Sequence, residues 1–246
     1  MSTAAASLGF MYKLKDRKEV AEGTMAFWFE KPAGWTFKAG QYLDMTLLDP
    51  AETDSEGNVR SFSIASAPHE ETLMVATQMR DTAFKRVLRS MPFGTTVKIE
   101  GPSGDLVLQN DSARTAVFLA GGIGITPFRS IVHWAAKEKS PNRIVLFYSN
   151  RRPEDAPFLA ELQNLERDNP KYKLIPSMTE MEKSHQPWNG ETGPINQGML
   201  GRHLKGAPSG IHYIAGQPAM VNGLHDMLKT AGVDDNDIRA EEFAGY

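Results

Sequence analysis

The apolar residues of this 246-residue chain change rhythm once, near Leu108, and that change limits the folds open to it. Before it, they alternate with polar residues. The runs "TMAFWFE", "QYLDMTLL", "TLMVATQM" and "TTVKIE" fit short strands with one buried face, separated by Gly, Pro, Asp or Asn. One segment, "TAFKRVLRSM", has helical spacing instead, with Phe84, Val87, Leu88 and Met91 on one face. Residues 1–110 therefore read as an antiparallel β domain, a barrel or a sandwich.

After "GPSGDLVLQNDSAR" the runs become continuous: "TAVFLA", "RIVLFYS", "YKLIPSM", "GIHYIA" and, more weakly, "DIRAEEF". A strand apolar on both faces is buried on both faces, as in a parallel sheet covered by helices. Helical stripes lie between the runs, one formed by Phe128, Ile131, Val132 and Ala135, another by Met220, Leu224, Met227 and Leu228. Pro127, Pro153 and Pro218 stand where a first helical turn tolerates proline. Residues 111–246 read as an α/β domain built on a parallel sheet. Its longest irregular stretch, Thr179 to Gln197, is expected as a surface loop at the carboxyl end of a strand.

Composition excludes several function classes. The formal charge is -3, with no basic block, which argues against nucleic acid as the main partner. No stretch reaches the roughly 18 apolar residues of a membrane span, and "MSTAAASLGF" lacks the basic start and apolar core of a secretory signal. A cytoplasmic location is the expectation. With no cysteine, these residues supply no disulfide, thiolate or cysteine-ligated cluster. The six histidines (His69, His133, His185, His203, His212, His225) are scattered without metal-ligand spacing, and "VDDND" lacks the calcium-loop pattern, so no metal site is expected.

Two motifs carry chemistry. "LAGGIGITPFRSI", Leu119 to Ile131, joins the first continuous run to the first amphipathic helix. A glycine-rich strand-to-helix turn lets a phosphate approach backbone N–H groups at a positive helix end, although a tight connection with no ligand uses glycines as well. Pro127 stands where the usual dinucleotide fingerprint has a third glycine. In the barrel half, "RSFSIAS" puts Arg60 and Phe62 on one strand face and the serines on the other. Arg60 offers a forked set of donors for a phosphate, and Phe62 a flat surface for a ring.

"RSFS", "GGIGITP" and "YIAGQPAMV", in this order and spacing, resemble the motifs of the ferredoxin:NADP reductase superfamily of flavoproteins. The resemblance implies an N-terminal antiparallel β-barrel that binds flavin, residues 1–110, followed by a C-terminal Rossmann-like α/β domain that binds the nicotinamide dinucleotide, residues 111–246. It places Arg60 by the flavin phosphate, Phe62 against the isoalloxazine or ribityl chain, and Ser63 near flavin N5 as the catalytic residue, with Ser61 among the cofactor-binding residues. A Gly-x-x-Ser/Thr turn binds the flavin pyrophosphate in relatives. Here "MRDTAF" supplies Arg80 and Thr82, but Met79 replaces the glycine. In the second domain, the resemblance implies contacts to the nicotinamide dinucleotide from Gly122, Gly124, Thr126 and Pro127, then Ser149, Arg151 and Arg152 in "SNRRPED", and Gly216, Pro218 and Met220. At the end of the chain, "EEFAGY" offers Phe243 to cover the flavin, with Glu242 as a carboxylate for proton movement and Tyr246 as a second aromatic.

The implied activity is an NAD(P)H-dependent flavoprotein reductase moving hydride from nicotinamide C4 to flavin N5, with FAD ahead of FMN and NADPH or NADH open. Its electrons would pass to a separate acceptor: a ferredoxin, a flavodoxin, an oxygenase component or a small molecule. A free-flavin reductase is the alternative enzyme, and a flavin-binding regulatory or electron-transfer subunit without turnover is the non-enzymatic one.

Overall fold

A computed structural model describes residues 10–207 and 209–243, so Tyr246 and the first nine residues lie outside the described part. Six strands form the first sheet: β1 (Phe10–Ala21), β2 (Thr24–Glu30), β3 (Tyr42–Leu47), β4 (Val59–Ser63), β5 (Thr72–Gln78) and β6 (Thr96–Ser103). They run in the order β4-β3-β6-β1-β2-β5, every pair antiparallel. The two edges come together just past β4, where the Ala65 N–H donates to the Met74 carbonyl at 2.8 Å, curling the sheet into a barrel. Alternation puts Tyr12, Leu14, Phe27, Phe29, Leu43 and Met45 inside. Helix α1 (Ala83–Ser90) begins at Thr82, whose hydroxyl accepts the Lys85 N–H at 3.4 Å, and plugs the barrel with Phe84 and Leu88.

The second sheet holds β7 (Thr115–Gly121), β8 (Ile144–Asn150), β9 (Tyr172–Met178), β10 (Glu191–Thr192), β11 (Gly210–Gly216) and β12 (Ile238–Glu242). Their order is β10-β9-β8-β7-β11-β12, all parallel. Helices α2 (Ile125–Lys137), α3 (Leu159–Asp168), α4 (Gln197–His203) and α5 (Pro218–Thr230) complete the domain. Successive residues of β7 enter different cores: Phe118 joins Phe128 and Tyr213 on one face, while Val117 and Leu119 join Phe147 and Leu224 on the other. That double burial is why the run "TAVFLA" carries no polar residue between its apolar ones. Strand order reverses between β7 and β11, so the crevice beyond their carboxyl ends is where such a sheet takes ligands.

The domains share one core. Ala26, Ala65, Met74 and Leu106 of the first pack with Ile125, Phe128 and Ile131 of the second. Arg129, 6% exposed, crosses the boundary to the Ala65 carbonyl at 2.7 Å, to Glu70 at 3.0 Å and to Glu161. Beside it, the Ser130 hydroxyl donates to the Ser66 carbonyl at 2.7 Å.

Two segments depart from the sequence reading. The charged stretch Phe10–Ala21 is a twelve-residue strand, because only Tyr12 and Leu14 need to face inward. The expected loop 179–197 contains β10, and the Trp188 indole N–H braces it by donating to the Glu191 carbonyl at 2.8 Å.

The glycines of the β7–α2 turn have three separate causes. Gly122 has φ +52 and open space around its Cα. A Cβ on Gly121 would meet the Met220 sulfur at 2.2 Å, whereas one on Gly124 would meet the Ala215 carbonyl oxygen at 2.1 Å. Side-chain sulfur can move; strand backbone cannot. Gly124→Ala is therefore expected to destabilise the fold by about 2 kcal/mol or more, measured by urea unfolding. Gly122→Asn is expected to unfold near the wild-type midpoint, since Asn tolerates the left-handed region.

Candidate active site

Two cavities flank the meeting of the domains. The first, about 380 Å³, opens over the carboxyl ends of β7, β8, β9 and β11. Gly121, Gly122 and Ile123 form its floor, Ser149, Asn150 and Arg151 one side, and Gln217 and Met220 another. From the barrel come Glu22, Thr24, Gln78 and Arg80. Asn150 is 6% exposed and its Oδ1 accepts from no described donor, so a bound donor would satisfy it. The guanidinium of Arg80 makes no ion pair among the described residues, which leaves a barrel cation facing the glycine turn.

The second cavity, about 370 Å³, lies between β4 and the end of β12. Tyr42, Phe62 and Phe243 line it with aromatic surface, while Ser61, Ser63 and Glu241 supply polar atoms. Ser63 is 7% exposed, and its hydroxyl donates to the Glu241 carboxylate at 3.1 Å across 178 residues of sequence. Burial pushes the Glu241 carboxyl above the usual carboxylate range, and the Ser63 hydrogen bond acts in the opposite direction. A planar ring with hydrogen-bonding edges fits such a slot.

The cavities are joined through the last strand. In the β11–β12 pairing Gly216 stands opposite Glu242, and the Phe243 N–H donates to the Gly216 carbonyl at 2.9 Å. A Cβ on Gly216 would meet the Met220 methyl at 2.6 Å, and Met220 lines the first cavity. Phe243 and Met220 are thus held on opposite sides of one backbone crossing.

The site residues expected from sequence divide accordingly. Arg60, Ser61, Phe62, Ser63 and Phe243 line the second cavity. Gly122, Ser149, Arg151 and Met220 line the first, together with Arg80, which the sequence reading placed with Thr82 at the flavin pyrophosphate. Gly124, Thr126 and Pro127 are buried behind the first cavity's floor, where the Thr126 hydroxyl donates to the Ile123 carbonyl at 3.0 Å. Gly216 and Pro218 shape the β11–α5 turn without lining either cavity, and Thr82 caps α1. Arg152 does not line the first cavity; it holds two residues that do, Asp155 at 2.8 Å and Glu22 at 2.7 Å. That ion pair keeps the Asp155 carboxyl below the usual range.

Sequence reasoning missed Glu241, Tyr42 and Asn150. Glu241 was within reach of the period-two rule, since it shares a strand face with Phe243 whereas Glu242 does not. Tyr42 and Asn150 enter only through the folded arrangement: Tyr42 pairs with Ser63 across β3 and β4, and Asn150 ends β8 beside the turn after β7.

Residues 118–226 match the oxidoreductase NAD-binding domain. The chain is 28% identical over 211 residues to terephthalate 1,2-dioxygenase reductase component 2 of Comamonas sp, covering 85% of this chain and 60% of the relative. It is 26% identical over 223 residues to the glycine betaine monooxygenase reductase subunit of Chromohalobacter salexigens, covering 89% of this chain and again 60% of the relative. The chain therefore spans less than two thirds of either protein. Among solved structures, the ferredoxin NADP+ reductase of Neisseria gonorrhoeae, with bound FAD and NADP, superposes with TM-score 0.78 at 22% identity. That match covers 97% of this chain and 99% of the other. An Amycolatopsis cytochrome P450 reductase superposes with TM-score 0.79 at 18% identity, over 98% of this chain and 72% of that one.

The raised Glu241 carboxyl has a measurable sign. The folded protein keeps a proton that the unfolded chain releases, so stability is full below the unfolded value near 4.3 and declines as pH rises through the window above it. Glu241→Gln removes that cost and keeps an acceptor for Ser63. Its Tm is expected to exceed wild type at pH 7, with the gap narrowing towards about pH 4; thermal melts at both values check this. A gap that is absent at pH 7, or that grows on acidification, would contradict it.

Proposed function

With residues 118–226 in the oxidoreductase NAD-binding domain family and the whole chain in the fold of the ferredoxin–NADP reductase superfamily, we propose that the protein is an NAD(P)H-dependent flavoprotein reductase serving a separate electron acceptor. The observation that carries this reading is the shared wall. One cavity over a parallel-sheet switch point and one aromatic slot on a barrel meet at the hydrogen bond between Phe243 and Gly216. Two flat cofactors seated in these cavities would approach each other there. The first relatives reported are reductase parts of oxygenase systems, which favours a redox protein as acceptor.

A flavin supplies hydride acceptance from a nicotinamide and release of single electrons. The chain's own residues bind, orient and exclude water. Phe62 and Phe243 offer faces for the ring, and Ser63 and Glu241 place a hydroxyl and a carboxyl of raised proton affinity at its edge. Tyr42 closes the slot beside Ser63. On the other side, Gly122 leaves room above the turn for a nucleotide's diphosphate, with Arg80 as its counter-charge. The Asn150 amide oxygen would accept from a ribose hydroxyl or an amide.

Charge pairing favours NADH over NADPH. A 2′-phosphate would need a free guanidinium at the end of β8. Arg152 is held by Asp155 and Glu22, and Arg151 lies 3.4 Å from the same Asp155. Asp155→Asn is expected to raise kcat/KM for NADPH relative to NADH by roughly tenfold. A wild-type enzyme that already prefers NADPH would overturn this assignment.

The direct test is anaerobic. Purified protein supplied with flavin, mixed with NADH in a stopped-flow spectrometer, is expected to bleach near 450 nm (about the usual flavin band), and faster than with NADPH. Ser63→Ala is expected to slow single-turnover bleaching by roughly a hundredfold while leaving flavin content nearly unchanged. Failure of both nucleotides to reduce FAD, FMN or riboflavin would sink the reductase reading.

A further inference from the structure

The cations at the phosphate end of the barrel slot are already matched from within. The β3–β4 connection carries "AETDSEGN", residues 51–58, and its three carboxylates turn back onto the barrel. Arg60 is wrapped by this loop. Its Nη1 donates to the carbonyls of Val59, Glu56 and Gly57 at 2.7, 2.9 and 3.2 Å. Its Nη2 donates to Glu56 Oε2 at 2.7 Å and reaches Asp54 Oδ1 at 3.5 Å. The guanidinium lies 5.2 Å over the Phe84 ring, which fixes it against α1.

Asp54 makes the second link. Its other oxygen, Oδ2, accepts the Ala83 N–H at 3.0 Å, the first N–H of α1. One carboxylate thus spans a guanidinium and a helix start, two groups that also suit a phosphate. Thr82 already caps this helix through Lys85, so the helix end has a local cap without Asp54. Lys85 adds positive charge at the same corner and is pushed down to about 8 chiefly by burial. Glu52 anchors the loop further along α1 through Arg86 at 2.5 and 2.9 Å.

We propose that Asp54 and Glu56 act as an internal stand-in for the flavin phosphate, so that the barrel discriminates little between riboflavin and phosphate-bearing flavins while this loop is closed. The inference rests on the barrel slot being a flavin site. Its logic is a competition that only one class of ligand meets. A phosphate must first displace two carboxylates, and its apparent affinity falls by the fraction of molecules with the loop open: roughly a hundredfold if one in a hundred is open. Riboflavin uses the slot between Phe62 and Phe243 and meets no such competitor. The consequence is an exchangeable flavin, closer to a substrate than to a permanently held group.

The experiment measures equilibrium binding of riboflavin, FMN and FAD to the full chain by flavin fluorescence, for wild type and for D54N/E56Q. In wild type the three affinities are expected to agree within about fivefold, and the double variant is expected to bind FMN and FAD about tenfold or more tighter, with riboflavin unchanged. E56Q alone, which keeps Asp54 on the helix, is the second variant should the double one unfold, with an expected gain of about threefold for FMN. A wild type that binds FMN and FAD about a hundredfold tighter than riboflavin, with no gain on neutralising the loop, overturns the proposal and leaves the flavin reading standing. Failure of every protein to bind any flavin overturns the flavin reading itself.

Discussion

Both cavities depend on how the two sheets meet, and the guanidinium of Arg129 ties them together at the centre of their shared core. Arg129 leaves α2 of the second domain and ends on the Ala65 carbonyl, two residues beyond Ser63. Ser130 holds the next carbonyl, that of Ser66. The strand presenting Ser63 to one cavity is therefore gripped by the helix that begins at the glycine turn of the other. Glu70 from the barrel and Glu161 from α3 neutralise the buried charge, and Phe158 lies 5.2 Å from it. Breaking such a set by removing one member leaves buried charge unmatched, a loss of about 3 to 5 kcal/mol. The apolar contacts around it would permit some sliding; the directed hydrogen bonds do not.

The glycine turn serves this geometry as much as it serves a ligand. Gly124 lets the turn press on the backbone of β11, and Gly121 lets Met220 fold in beneath it. Those contacts bring the ends of β7 and β11 close enough for the crevice between them to have a floor. Gly122 alone leaves room above its Cα. A motif that looks like one device for admitting phosphate is one position for ligand and two for packing.

Much of the fold was legible because burial leaves a mark on sequence. Continuous runs such as "RIVLFYS" identified the parallel strands, and alternation in "TLMVATQM" identified the barrel. The strand Phe10–Ala21 left a faint mark, since ten of its twelve residues avoid full burial. β10 is two residues long and held by Trp188 and by the Gly193 carbonyl, to which the Ser177 hydroxyl donates, so no periodicity could announce it. The site was legible where a motif lies within one turn, as in Arg60 to Ser63. It was illegible where residues meet across the fold. Glu241 reaches Ser63 only because β12 adds to the sheet beside β11, and Arg80 faces the glycine turn only because the two domains pack against each other.

Charge placement separates the two cavities more sharply than shape does. Two arginines that the sequence marks as anion-binding groups have internal partners: Arg60 with Asp54 and Glu56, and Arg152 with Asp155 and Glu22. An arginine so engaged meets an incoming phosphate with its charge already balanced, and the net gain is the difference between two anions rather than the whole of one. Arg80 makes no such pair among the described residues, and it stands opposite Gly122, where a diphosphate has room. Arg80 thus leaves a positive charge without an ion-pair partner, among the described residues, at the first cavity between the domains. The barrel slot relies instead on aromatic surface and on Ser63 with Glu241.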